Sequence, residues 1–145
     1  MDIIVDIDGT LADLSHRLHF IADPKKKDWD GFFAAAVDDK PIGPVVDMVL
    51  GLSQSCRLVI VTGRPEWTRN ATQVWLRDHA GLNGYPLYMR ATEDRRDDSI
   101  VKLEILKQIR ADGYRPELAI DDRKRVVAMW RKAGITCAQV ADGDY

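Results

Sequence analysis

Only two cysteines occur in the chain, Cys56 and Cys137, and they lie far apart. That excludes a disulfide scaffold and a cysteine-rich zinc site, and leaves two free thiols as the expectation. Histidine is nearly as scarce: His16, His19 and His79 show no ligand spacing for a transition metal. No apolar run approaches the roughly 20 residues that span a bilayer, so no membrane segment is expected. The opening Asp2-Ile3-Ile4-Val5 has neither the basic start nor the long apolar stretch of a secretory leader, and a cytoplasmic protein is expected. An excess of positive charge is also missing. The formal net charge of −2 argues against a broadly basic nucleic-acid binder, though not against a local basic funnel. There is no internal repeat and no low-complexity tract. The Gly-x-x-x-x-Gly-Lys-Ser/Thr phosphate loop is absent, so nucleotide chemistry of that type is not expected.

Apolar residues make up 46% of the chain and charged residues 30%, which suits one globular domain over residues 1–145 with a full core. Five short runs rich in branched residues read as strands: Ile3–Ile7, Leu58–Thr62, Pro86–Met89, Leu118–Asp121 and Thr136–Val140. Helical patterns separate them. Pro44–Leu52 aligns Val45, Met48, Val49 and Leu52. Pro65–His79 opens on a proline and carries Trp67, Ala71, Val74 and Trp75. Ser99–Ala111 spaces Ile100, Leu103, Leu106 and Ile109 along one face, and Lys124–Ala133 presents Val126, Val127 and Trp130 before a capping Gly134. Strands alternating with helices predict an α/β three-layer sandwich around a parallel, Rossmann-like sheet of about five strands. The segment 14–40 breaks the alternation. Two short helices, Ser15–Ile21 and Trp29–Val37, flank the basic Lys25–Lys27, and the segment reads as a small helical lid inserted after the first strand.

Ligands of such sheets bind beyond the carboxyl ends of the strands. The polar residues at those ends are Asp6 and Asp8, Thr62-Gly63-Arg64, Arg90, and Asp121-Asp122-Arg123, so they are expected at one rim. Strand alternation puts Asp6 and Asp8 on one side. Two anions buried side by side need a cation or a proton. One of them can instead serve as a nucleophile toward phosphorus, the other as acid and base. The pair Asp121-Asp122 suits a hard, oxygen-loving divalent cation such as Mg²⁺. Arg17, Arg64, Arg90, Arg95, Arg96 and Arg123 lie in or near rim loops, where guanidinium forks grip phosphate. Trp67, Trp75 and Trp130 are expected in the core, and Trp29 is the one candidate for stacking on a base.

The Asp6-Ile7-Asp8-Gly9-Thr10 motif after a strand resembles the haloacid dehalogenase-like phosphotransferases. The stretch from Leu118 to Tyr145, with Val61-Thr62-Gly63-Arg64-Pro65 and Arg96-Asp97-Asp98-Ser99-Ile100-Val101-Lys102, is more specifically similar to the 3′-phosphatase domain of phage-type polynucleotide kinase-phosphatases. The resemblance implies Asp6 as nucleophile and Asp8 as acid and base, its backbone carbonyl reaching the metal. It implies Thr62 and Lys102 as catalytic partners. Arg17, Gly63, Arg64, Arg96, Asp98 and Arg123 are implied at the substrate, and Asp6, Asp8, Asp121 and Asp122 at Mg²⁺. It further implies a separate kinase or ligase partner. The expected function is removal of 3′-phosphate from nucleic-acid ends through an aspartyl-phosphate. The alternatives are a phosphatase of free nucleotides or other small phosphate esters, and a non-catalytic module that binds phosphorylated ends.

Overall fold

A computed structural model describes residues 1–145. Its central sheet has five parallel strands in the order β5-β4-β1-β6-β7. They are β1 (Asp2–Val5), β4 (Arg57–Pro65), β5 (Leu87–Arg90), β6 (Pro116–Arg123) and β7 (Thr136–Gly143), and β1 runs between β4 and β6. Two short strands, β2 (Ala12–Asp13) and β3 (Lys40–Pro41), pair antiparallel and close the neck of the inserted segment. The insertion holds a 3₁₀ turn (Ser15–Phe20), helix α1 (Trp29–Ala34) and a second 3₁₀ turn (Ala35–Asp38). Its own small core is Leu14, Ile21 and Phe32.

Helices α2 (Gly43–Ser53) and α3 (Arg69–Ala80) cover one face of the sheet, while α4 (Asp98–Ala111) and α5 (Lys124–Lys132) cover the other. Strand alternation sorts the core accordingly. Ile3, Val5 and Ile7 join α2 and α3, and Ile4 joins α4 and α5. The three-layer α/β architecture, the five parallel strands and the inserted helical segment agree with the expectation. From β1 the chain first adds β4 and β5 on one side, then crosses to add β6 and β7 on the other. That reversal is where open α/β sheets bind ligands.

Several local expectations need correction. Strand β1 stops at Val5, so simple alternation does not extend to Asp8, although both carboxylates line one cavity. Pro65 ends β4, and the 3₁₀ turn Glu66–Thr68 precedes α3. Trp67 therefore lies off the helix face and is 49% exposed rather than core, and Val74 is also exposed. In α3 the buried residues are Thr72, Trp75, Leu76 and Ala80. In α2 Val46 is buried and Met48 faces out. Helix α4 buries Val101, Lys102, Ile105, Leu106 and Ile109, leaving Ile100 and Leu103 exposed. A stripe counted from apolar residues alone was displaced there because one inward position is a lysine.

Candidate active site

The carboxyl ends of β1, β4 and β6 and the loop before α4 surround a cavity of about 760 Å³, roofed by the inserted segment. Its walls include Asp6, Asp8, Gly63, Asp98, Lys102, Asp121, Asp122 and Arg123. The convergence expected of the strand ends is present, and it resolves into two charge clusters.

The first centres on Asp6. Burial sends its carboxylate toward α4, where Lys102 Nζ donates to Asp6 Oδ1 at 2.8 Å and to Asp121 Oδ2 at 3.0 Å. The Thr10 hydroxyl donates to Asp6 Oδ2 at 2.9 Å. Trp130 Nε1 donates to Asp121 Oδ2 at 3.1 Å. Asp121 Oδ1 accepts from the amides of Asp122 and Arg123, so it also caps the turn into α5. Oxygens of Asp6, Asp121 and Asp122 lie within 4.8 Å of one another, and all three residues are buried. Lys102 is the one cation among them. Burial and the Asp121 charge push the Asp6 carboxyl well above its ordinary range, and the same causes lift Asp122 to about 6. Burial alone would lower the Lys102 ammonium, but Asp121, Asp6 and Asp98 outweigh it and hold it charged. Three carboxylates facing one ammonium leave two negative charges uncompensated. An all-oxygen donor set with that surplus fits a divalent cation.

The second cluster holds Asp8. Arg17 Nη2 donates to Asp8 Oδ1 at 2.6 Å, and Arg64 donates to the same oxygen through Nη2 at 2.7 Å and Nε at 3.0 Å. Behind them lies Asp39, its carboxylate fully buried, which accepts from Arg17 Nε and Nη2, from Arg64 Nη2 and pairs with His16 Nε2. Burial would raise the Asp8 carboxyl, but the Arg64 and Arg17 guanidiniums outweigh it and hold it down at about 2. No buried side-chain nitrogen or oxygen in the protein lacks a hydrogen-bond partner.

The expected site residues therefore take different places. Arg17, Arg64 and Thr62 are buried and do not line the cavity. The Thr62 hydroxyl accepts from the Arg64 amide. Asp98 stands between Lys102, Arg90 and Arg123 at 3.4–3.7 Å, so as an anion it orients cations. Gly63 is in the wall because a Cβ there would meet Asp98 Oδ1 at 2.3 Å. Arg96 lines the cavity but grips Asp94 and Glu104, each at 2.7 Å. The Asp8 side chain is not in the carboxylate triad, while its backbone carbonyl accepts from the Tyr145 hydroxyl, which also lies 3.1 Å from Asp122 Oδ2. Arg123 Nε donates to the Tyr145 carbonyl at 2.8 Å. Asp39, Thr10 and Tyr145 join the site without having stood out in the sequence. For Asp39 a signal existed: two arginines facing one carboxylate call for a second anion.

Gly9 permits the turn that joins the clusters. Its φ is +83°, and a Cβ would come within 2.1 Å of Asp122 Oδ2. Gly9→Ala is expected to displace Asp122 and weaken divalent-cation binding by ~10-fold or more. Titration calorimetry checks this, and an unaltered affinity contradicts the place given to Asp122.

The family model described as polynucleotide kinase PNKP phosphatase domain matches residues 1–145. The chain belongs to this phosphatase-domain family. A PNKP-type domain of this kind is a phosphoric monoester hydrolase, and its haloacid dehalogenase-like α/β fold is the one described above. The chain is 26% identical over 145 residues to a putative bifunctional polynucleotide kinase/RNA ligase of Autographa californica nuclear polyhedrosis virus, covering 99% of this chain and 20% of the viral protein. It matches a solved chain of a Pnkp1/Rnl/Hen1 complex at 31% identity and TM-score 0.79, over 99% of this chain and 47% of that one. A haloacid dehalogenase family enzyme of Bacteroides thetaiotaomicron, solved with magnesium and inorganic phosphate, shares the fold at 13% identity and TM-score 0.62, over 99% and 96% of the two chains. The chain thus spans a fifth to a half of the first two relatives. None of its helices is long and apolar enough to cross a membrane.

Proposed function

We propose that this domain removes 3′-phosphates from nucleic-acid ends with Mg²⁺, through an aspartyl-phosphate on Asp6. The observation that carries the reading is the Asp6 carboxylate, buried in the cavity wall between Lys102 and Thr10 and beside Asp121 and Asp122. An Asp6 oxygen attacks phosphorus and the bond from phosphorus to the 3′ oxygen breaks. Asp8 gives the 3′ oxygen its proton, then takes one from the water that attacks phosphorus and frees Asp6. With both guanidiniums on it Asp8 rests ionised, so the proton it gives is first taken up from the phosphate monoanion as substrate enters. Lys102 offsets the charge gathering on Asp6 and the phosphoryl oxygens, and Asp98 holds Lys102, Arg90 and Arg123 in line. Mg²⁺ would be held by Asp6, Asp121 and Asp122 with the Asp8 carbonyl, and would neutralise phosphoryl charge. The relatives' kinase and ligase connections support a kinase or ligase partner for this domain.

If the triad holds Mg²⁺, saturating metal raises Tm. At a hundred times Kd the stabilisation is ~2.7 kcal/mol, or roughly 5–10 °C for a chain of this size. Scanning calorimetry with Mg²⁺ and with chelator checks it, and coincident melting curves contradict the metal assignment. The substrate is tested by phosphate release from a 3′-phosphorylated oligonucleotide, its 5′-phosphorylated twin and a 3′-mononucleotide. The first is expected to be strongly preferred. Equal or faster release from the mononucleotide makes the domain a nucleotide phosphatase, and no release from any makes it a binding module.

A further inference from the structure

Away from Asp6 the cavity opens between the inserted segment and the loop that follows β5. One aromatic and one cationic side chain there have nothing to hold. Five arginines line the cavity: Arg90, Arg95, Arg96, Arg123 and Arg125. Arg90 donates to the Gly63 carbonyl, Arg96 grips Asp94 and Glu104, Arg123 donates to the Tyr145 carbonyl and Arg125 pairs with Asp97. Arg95 is exposed and makes no hydrogen bond or ion pair with the protein. Trp67 is the other. Its ring is half exposed on the short turn before α3, and it stacks on no aromatic neighbour. Trp67 and Arg95 line both the main cavity and an adjoining hollow of about 430 Å³, which Thr92 and the carboxylates of Asp30 and Glu93 also border. Trp29, the residue expected to stack on a base, is occupied: Phe33 stacks on it and Lys27 Nζ lies over its ring at 5.5 Å.

A free aromatic face beside a free guanidinium, at the open end of a phosphate-cleaving cavity, matches the two repeating parts of a single strand: a base and its linking phosphate. We propose that Trp67 and Arg95 form a nucleotide subsite. Trp67 stacks on the base of the nucleotide preceding the phosphorylated one, and Arg95 holds the phosphate between them. The subsite makes the enzyme read a strand rather than a monoester. It rests on the reading of nucleic-acid ends as substrate.

The test is kcat/KM for thymidylate 3′-phosphates of one, two and three nucleotides. The wild-type protein gains efficiency when the second nucleotide is added. Trp67→Ala is expected to cut that gain about tenfold, in line with stacking on one base, while Trp67→Phe keeps a stacking face and most of the gain. Arg95→Ala also cuts it and lowers the slope of log kcat/KM against log salt by about 0.7, as for one single-strand phosphate contact. A structural lesion lowers all three substrates together. If Trp67→Ala and Arg95→Ala keep the wild-type ratio between trinucleotide and mononucleotide, the subsite is wrong and the end-phosphatase reading stands. If the wild-type protein itself favours the mononucleotide, that reading falls and the subsite with it.

Discussion

Asp6→Asn is expected to lower turnover of every phosphate ester by about a thousandfold or more, the scale seen when a covalent nucleophile is removed. The carboxamide keeps the shape of the side chain and can still meet Thr10. It cannot donate an electron pair to phosphorus as a carboxylate does. The fold is expected to survive, because Lys102 retains Asp121 at 3.0 Å and Asp98 at 3.5 Å. The metal-free variant should melt no lower than the parent, since the change removes one of three carboxylates whose burial and mutual repulsion oppose ionisation. Phosphate release and thermal melting followed by circular dichroism check both halves. Residual activity within tenfold of the parent would move the nucleophile elsewhere.

Asp39→Ala carries the largest expected loss of stability. Its carboxylate is fully buried and balances Arg17 and Arg64 behind Asp8. Removing one member of a buried ion network costs ~3–5 kcal/mol, because the remaining charges stay desolvated. For a chain of this size that lowers Tm by about 10 °C or more. The loss should be smaller in an Arg17→Met background, where one unpaired guanidinium has gone, with a coupling of about 1–3 kcal/mol between the two sites. Strict additivity in that double-mutant cycle would mean that the network does not act as a unit. The network also bears on chemistry, since it fixes Arg17 and Arg64 and they fix Asp8.

What could be read from the chain followed from patterns that backbone geometry enforces. Branched runs gave the strands, and polar residues at their ends gave the rim. Asp6, Lys102, Asp121 and Asp122 lie together, because strand ends and helix starts of a parallel sheet share one rim. Charge pairing was not legible. Arg17 and Arg64 read as phosphate grips, yet both are buried against Asp8 and Asp39, a partnership that depends on how the inserted segment folds back through β2 and β3. Lys102 shifts the stripe of α4, because a buried lysine in an inward position looks like solvent-facing sequence. Trp67 departs from the core for a simpler reason: three residues of 3₁₀ turn separate Pro65 from the helix, which removes the helical spacing that a core position requires.

The most direct test of the central claim is a rapid-quench experiment with a 3′-[³²P]-phosphorylated oligonucleotide and Mg²⁺. Transient label on the protein is expected, cleaved by hydroxylamine as an acyl phosphate and mapped to the peptide holding Asp6. The 5′-labelled twin should give none. Release of the 3′-phosphate with no labelled protein at any time, or label on a peptide lacking Asp6, would contradict it.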